Sequence, residues 1–413
     1  MNKSEKLDIR DNYVNYIKSD GRLSVGFLSN VFFPVTNGVV HSLHLLVKGL
    51  KANGIDTFIL TSKHPNFNGS VINKYKIDYE VFTIPSIYLK KFDYCIPNPL
   101  GFFSFKKIVL DKQMDILQLN HPFIIYNIAK KIRDIKKEVK IVFVFHTQYD
   151  LYHNYIKFIP FKVYSKFIWN HLNDVISNVD VVVVPSKSMI DKIKQNIDSK
   201  YYSKIVYIPN PVDTDFINSV DLNAVNYLRD ELGIKDKFVI GFVGRIEEEK
   251  NIKKLIDFFI RYFQNKEDIV LLVVGGGTLL GLLKQTYSSY KNIIFTGKIE
   301  FEKIGMYYKL IDVFVSLSLT EVKPLAYIEA LASGIPVIAF KTVGADDLII
   351  DNYNGFLIEY NKDYELNLYR IINNLYENRT ILDNLKTNCI ESSKEYHYFE
   401  ISKRYVNLYL DLI

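Results

Sequence analysis

The chain has 413 residues, 52 of them Lys or Arg and 46 Asp or Glu, for a formal net charge of +6. Hydrophobic residues make up 48% and charged residues 24%, the balance of a globular protein with two to three domains. Two distant cysteines, Cys95 and Cys389, exclude a disulfide framework or thiolate zinc site, and no run of 18 apolar residues reads as a spanning helix.

The opening segment 1–22 is polar and mixed in charge, so no secretory leader is expected and a cytoplasmic location follows. Leu23–Ser29 is a short apolar run of strand type. A loop follows at Asn30–Gly38, then an amphipathic helix at Val39–Ala52, an Asn53-Gly54 stop and a second strand at Ile55–Leu60. Strand–helix–strand is the unit of a parallel sheet. Further strands are expected at Ile116–Leu119, Ile141–Phe145, Val179–Val184 and Ile205–Ile208, with helices at Phe161–Ile176 and Ser188–Gln195. Asn210–Asp213 breaks the pattern, and a helical stretch of mixed charge runs to about Leu232.

A second series of strands then starts: Phe238–Val243, Ile269–Val274, Asn292–Thr296, Val313–Leu317 and Pro336–Phe340. The helices between and after them are Ile252–Phe263, Leu279–Ser288, Phe301–Lys309, Leu325–Ser333 and Tyr364–Glu377, and Glu400–Leu412 is an aromatic amphipathic helix. The expected fold class is α/β, with two Rossmann-like domains facing a central cleft. The boundaries read as 1–208, 209–395 and a helix at 396–413 that returns to the first domain. Ligands of open α/β sheets bind beyond the carboxyl ends of the strands, so chemistry is expected on the loops there.

Asn37-Gly38 precedes a helix, where backbone amides can approach an anion or simply make a turn. Gly244-Arg245 and Lys250 flank a strand-to-helix loop. They suit a diphosphate, or equally a surface where they pair with neighbouring glutamates. Gly275-Gly276-Gly277 reads as a close-approach loop or an ordinary turn, and the Lys298-Ile299 backbone follows a strand end. Glu321 lies in a loop and Glu329 in the following helix, which Pro324 opens at its first turn. Glu321 fits a sugar-hydroxyl acceptor or a loop acid. His146 follows a strand and reads as a cleft residue or a structural histidine.

In order and spacing these segments resemble retaining, family 4 nucleotide-sugar glycosyltransferases of the two-Rossmann-domain (GT-B) type. The matching pieces are Phe33–Val39, His146, Pro185-Ser186, Ile208–Asp213, Val243–Asn251, Val274–Gly277, Phe295–Ile299, Glu321–Glu329 with Ala330–Val337, and Asn354-Gly355. The resemblance implies a nucleotide-sugar substrate and no cofactor or metal. Gly38 would approach the donor phosphates, and Arg245 and Lys250 would neutralise the leaving diphosphate. Glu321 would hold the donor sugar, Glu329 the ribose and Lys298-Ile299 the base, while His146 would orient the sugar. Asn37, Gly244, Gly276 and Leu325 complete the expected donor contacts. Lys323 and Pro324 depart from the family pattern: Lys323 adds a charge that could meet a phosphate, and Pro324 removes a backbone donor. Asp346-Asp347 would lie in a helix.

His146–Tyr149 with Tyr152–Ile156 is similar to a stretch of diacylglycerol glucosyltransferases. Those act at a membrane surface. Residues 90–140 hold eleven Lys or Arg against five acids, interleaved with aromatic residues, a pattern suited to an anionic membrane as well as to ordinary amphipathic helices. The expected acceptor is a glycerolipid or, alternatively, a glycan of an envelope polysaccharide or lipid-linked assembly, and nucleic acid is not expected as a partner. A sugar-nucleotide epimerase and a non-catalytic sugar-nucleotide binder are the remoter readings.

Overall fold

Residues 22–90, 94–98, 102–151 and 159–413 are described by a computed structural model, as two units. The leader up to Gly21, Lys91, Asp93, Leu100-Gly101 and the Tyr152–Ile156 stretch lie outside these residues. One unit comprises the described residues up to Pro211 together with Tyr398–Ile413; the other is Val212–His397.

The first unit is built on strands whose apolar runs are buried on both faces, as a parallel sheet covered by helices requires. They are β1 (Ser24–Ser29), β2 (Asp56–Ser62), β3 (Glu80–Ile84), β6 (Ile116–Leu119), β7 (Lys140–Val144), β8 (Val181–Val184) and β9 (Ile205–Tyr207). Between β3 and β6, β4 (Ser86–Leu89) and β5 (Tyr94–Pro97) form an antiparallel hairpin. The parallel order is β3-β2-β1-β6-β7-β8-β9. The chain moves outward from β1 to β3, then returns to the other side of β1. The order therefore reverses between β1 and β6, where ligands of such sheets bind.

Helix α1 (Gly38–Ala52) follows β1 and is capped by Asn37, whose side chain accepts from Val40 N at 3.0 Å. The helix Tyr398–Leu410 packs against α1, burying Ile401, Tyr405, Val406 and Tyr409 in the core that holds Val40, Leu43 and Val47. Gly49 permits this approach: a Cβ there would lie 2.7 Å from Ser402 Cβ. Asn53 Nδ2 donates to Ser402 Oγ at 3.0 Å, and Lys48 lies 4.6 Å over the Tyr398 ring.

The second unit repeats the plan with β10 (Phe238–Val243), β11 (Ile269–Val274), β12 (Ile293–Gly297), β13 (Val313–Ser316), β14 (Val337–Phe340) and β15 (Gly355–Ile358). Their order is β12-β11-β10-β13-β14-β15, all parallel, and it reverses between β10 and β13. Apolar clusters cover both faces: one gathers around Phe258, Phe259 and Ile338, the other around Phe314, Tyr327 and Leu331.

β3, the β4–β5 hairpin, β15 and the helix Arg379–Ser393 were not expected from sequence. Asp346-Asp347 lie in turns and not in a helix. β8 begins at Val181, past Val179 and Asp180; the Asp180 Oδ2 accepts from Ile141 N at 2.7 Å and pairs with Arg133.

Candidate functional site

In the second unit, every residue expected to contact the donor sits on a loop after β10, β11, β12 or β13, or on the helix after β13. After β10 the chain passes Gly244 and Arg245 into a 3-10 turn at Glu248–Lys250, then into α2 (Ile252–Phe263). Asn251 joins turn to helix in the left-handed conformation, φ 53°, and its side chain donates to Leu317 O at 2.8 Å. Ser318 Oγ donates to Glu249 O at 3.3 Å. These two bonds tie the β10 loop to the β13 loop across the point where strand order reverses.

Lys250 and Glu321 meet across that join as an ion pair, their side chains 19% and 15% exposed. Burial opposes ionisation of Glu321. Lys250, a hydrogen bond from Ser318 and the field of Arg245 more than offset it, so its pKa lies below the ordinary carboxylate value. Arg245 is half exposed, and its Nη2 donates to Glu249 Oε1 at 3.1 Å.

Helix α3 (Leu325–Ala332) begins one residue past Pro324, which occupies the N-cap and not the first turn. No side chain caps this end, so its first amides remain donors. Glu329, one face further along, is held by Tyr308, whose hydroxyl donates to Oε2 at 2.6 Å. Burial raises the Glu329 pKa, and the Tyr308 bond lowers it only in part. Lys323 is not a free cation. It is 4% exposed, its amine donates to Asp347 O at 3.5 Å and lies 4.9 Å over the Tyr396 ring.

The three glycines after β11 serve loop-to-loop packing. Ile246 N donates to Gly276 O at 2.8 Å, and Gly275 N to Gly297 O at 3.1 Å. A Cβ on Gly275 would fall 1.8 Å from Gly244 O, and one on Gly276 3.1 Å from Lys298 Cβ. Glu247 fastens the same loops by accepting from Thr278 N at 3.0 Å, a brace not singled out from sequence. Lys298 is exposed and Ile299 half buried just beyond β12.

In the first unit, Asn37 and Gly38 open α1 beyond β1, and His146 lies beyond β7. Between them, beyond β6, lie Asn120 and His121, which sequence reading passed over. Two polar residues directly after a buried strand were the available signal. His146 Nε2 is 3.1 Å from Asn120 Oδ1. Burial, then the neighbouring His121 ring, push His146 down to about 3; burial pushes His121 down to about 4. Both rings are neutral at pH 7.

The basic segment 90–140 is partly neutralised by residues outside it: Lys112 pairs with Glu80 and Arg133 with Asp180. Its exposed face is Phe103, Lys106, Lys107 and Leu110 on the helix Phe102–Asp111, at the i, i+3, i+4, i+7 spacing of one stripe. That helix packs against Ile124–Ile135. Ile124–Ile135 in turn meets the helix Phe161–Ser177, where Tyr126 donates to Asp174 O at 3.3 Å. The start of the latter exposes Phe161, Lys162, Val163, Lys166 and Phe167, with Phe167 67% accessible. Among the described residues no helix is long and apolar enough to cross a membrane, and no three His, Cys, Asp or Glu converge as a metal site.

Two family patterns match: "Glycosyltransferase Family 4" over residues 36–216 and "Glycosyl transferases group 1" over 226–396. The alpha-monoglucosyldiacylglycerol synthase of Acholeplasma laidlawii is 27% identical over 411 residues, covering 95% of this chain and 98% of that one. The synthase of the same name from Streptococcus pneumoniae is 29% identical over 345 residues, 81% and 75% of the two chains. Among solved structures, HepE of Anabaena in complex with UDP and glucose superposes with a TM-score of 0.74 at 18% identity. It covers 94% of this chain and 99% of its own.

Proposed function

The chain belongs to the family 4 glycosyltransferases, and on that premise we propose that it transfers glucose from UDP-glucose, with retention, to a hydroxyl of diacylglycerol or a similar membrane glycerolipid. The carrying observation is the group at the reversal point of the second sheet. Arg245 and Lys250 stand on one loop, Glu321 on the next, with an uncapped helix start beside them.

The bond between the anomeric carbon and the diphosphate oxygen breaks, and charge develops on that oxygen. Arg245, Lys250 and the first amides of α3 oppose this charge without a metal. The acceptor hydroxyl attacks from the same face, and its proton passes to the departing oxygen. Lys250 can serve Glu321 and a phosphate together, because an ammonium carries three donors. Glu321, held ionised, only accepts hydrogen bonds and so suits donor-sugar hydroxyls. Glu329 offers the ribose its Oε1, for which no described residue competes.

The names of the two synthases support the lipid acceptor, and the basic, aromatic faces of the first unit support docking on an anionic membrane. The test is a screen of nucleotide-sugars against diacylglycerol in anionic micelles and against saccharide and polyprenyl-linked acceptors. The proposal expects UDP-glucose with diacylglycerol to lead. Transfer confined to saccharide acceptors would remove the lipid reading. Arg245→Ala should lower kcat by roughly 10²-fold, and unchanged turnover would remove the assigned leaving-group role.

A further inference from the structure

Half-buried His146 ends a chain of side chains, the others buried, that begins on the helix Tyr398–Leu410. Tyr409 Oη donates to Gln118 Oε1 at 2.6 Å, Gln118 Nε2 donates to Asn120 Oδ1 at 3.3 Å, and His146 Nε2 lies 3.1 Å from that same oxygen. Tyr409, Gln118 and Asn120 are at most 1% exposed.

One backbone carbonyl sets the direction of the whole chain. Asn120 Nδ2 lies 3.5 Å from Leu28 O, and a carbonyl oxygen only accepts. With Nδ2 toward that carbonyl, the amide turns Oδ1 toward Gln118 and His146. Oδ1 also only accepts, so both nitrogens facing it carry hydrogen. Gln118 then has its oxygen toward Tyr409, whose hydroxyl donates.

We infer that Gln118 and Asn120 are positioning residues that hold the His146 ring as its Nε2–H tautomer, so that Nδ1 presents a lone pair to a substrate hydroxyl. This rests on the glycosyltransferase reading for its substrate. No described residue partners Nδ1. Low proton affinity, from burial and the neighbouring His121, keeps the ring singly protonated. His121 is the titratable group that bears on it, and that ring accepts from Asn30 N at 3.4 Å through its Nδ1. Asn30 supplies a second acceptor at the same sheet edge. Its Nδ2 donates to Tyr94 Oη at 2.7 Å, while its buried Oδ1 has no partner among the described residues. Two acceptors beyond β1 and β7, the strands on either side of β6, match a ligand rich in hydroxyls.

The experiment is two-bond ¹H–¹⁵N NMR of the full-length protein labelled at histidine, with His146 assigned through His146→Gln. The expected spectrum is the Nε2–H pattern, unchanged between about pH 5 and pH 8. Asn120→Asp sets a carboxylate beside Nε2 and should bring the ring's titration into that window, with kcat falling at acid pH and donor KM held within about twofold. An Nδ1–H pattern, or titration of the wild-type ring in the window, overturns the inference. So does a folded Asn120→Asp protein whose ring stays silent. If Asn120→Asp does not fold, the wild-type spectrum decides alone. The expected tautomer in a protein that transfers no sugar would overturn the glycosyltransferase reading and leave the tautomer standing. Sugar transfer with the opposite tautomer would do the reverse.

Discussion

Glu321 is ionised although it is shielded from solvent, because Lys250 reaches it from the neighbouring loop. Sequence spacing could place both residues on loops but could not show that they pair. The pairing depends on strand order, which brings β13 beside β10. Lys323 makes the same point in the opposite sense. Its charge reads as a phosphate ligand from sequence, yet the fold lays its stem in the interior and its amine over Tyr396. His146 was legible as a residue after a strand, whereas Gln118 and Asn120 were not. An amide on a buried strand carries no periodic signal, and its partner Tyr409 is almost three hundred residues distant in the chain.

The neutral histidines also set an acid limit. His41 and His121 are pushed down to about 4 and His146 to about 3, chiefly by burial. Their unfolded value is near 6.5. Below it the unfolded chain takes up protons that the folded chain refuses, so stability falls as pH drops from about 6.5 toward 4. Urea midpoints of the first unit should decrease over that interval. A flat midpoint between about pH 7 and pH 5 would contradict the buried, neutral rings.

At the scale of elements, the long apolar strands and amphipathic helices were readable because their periodicity is strong. The short ones were not. β15 has four residues, and the β4–β5 pair reads as a run of mixed aromatics and prolines. Arg379–Ser393 follows another helix with only Asn378 between them, so two patterns merge into one. The glycine loop after β11 was legible as a turn, but its cause is tertiary. Gly275 has φ 141° and would drive a Cβ into Gly244 O. Gly275→Ala should therefore cost about 3 kcal/mol in the second unit, read as a lowered calorimetric transition with the first unit unchanged. A shift within about 0.5 kcal/mol would show that the loops can part without penalty.

Helix faces carry the proposed membrane contact. Lys162 and Lys166 alternate with exposed Phe161, Val163 and Phe167, an arrangement that the charge count over 90–140 did not include. Lys162→Glu with Lys166→Glu should weaken binding to anionic vesicles, read by sedimentation at low salt, by roughly thirtyfold or more, since each basic residue near such a surface contributes about 1 kcal/mol. Zwitterionic vesicles should bind neither protein well. Equal binding of the double variant would move the contact to Lys106, Lys107 and their neighbours.

For the whole molecule, two parallel sheets were predictable from the alternation of strands and helices. The sequence also returns the helix at 396–413 to the first domain, and the structure groups Tyr398–Leu410 with strands that precede it by about 190 residues or more. Removing residues 398–413 strips Ile401, Tyr405, Val406 and Tyr409 from the first unit's core. Each such side chain is worth about 2–4 kcal/mol, so the deletion should abolish that unit's cooperative unfolding. Calorimetry should retain the transition of Val212–His397. Two preserved transitions would mean that the helix is an accessory of the fold and not a part of it.

This connectivity also orders events during synthesis. Domains commonly complete themselves in the sequence in which they emerge. Here the earlier unit must wait, unfinished, for a helix that the ribosome makes only after the whole of Val212–His397. At about 5–20 residues per second that delay lasts roughly 10–40 s. The second unit can be folded throughout it, while β1, β6 and the neighbourhood of Gln118 stay open along α1. The newborn chain thus completes the loops that carry Lys250 and Glu321 first and the surroundings of His146 last, and a protease or chaperone acting in that interval meets the first unit, not the second.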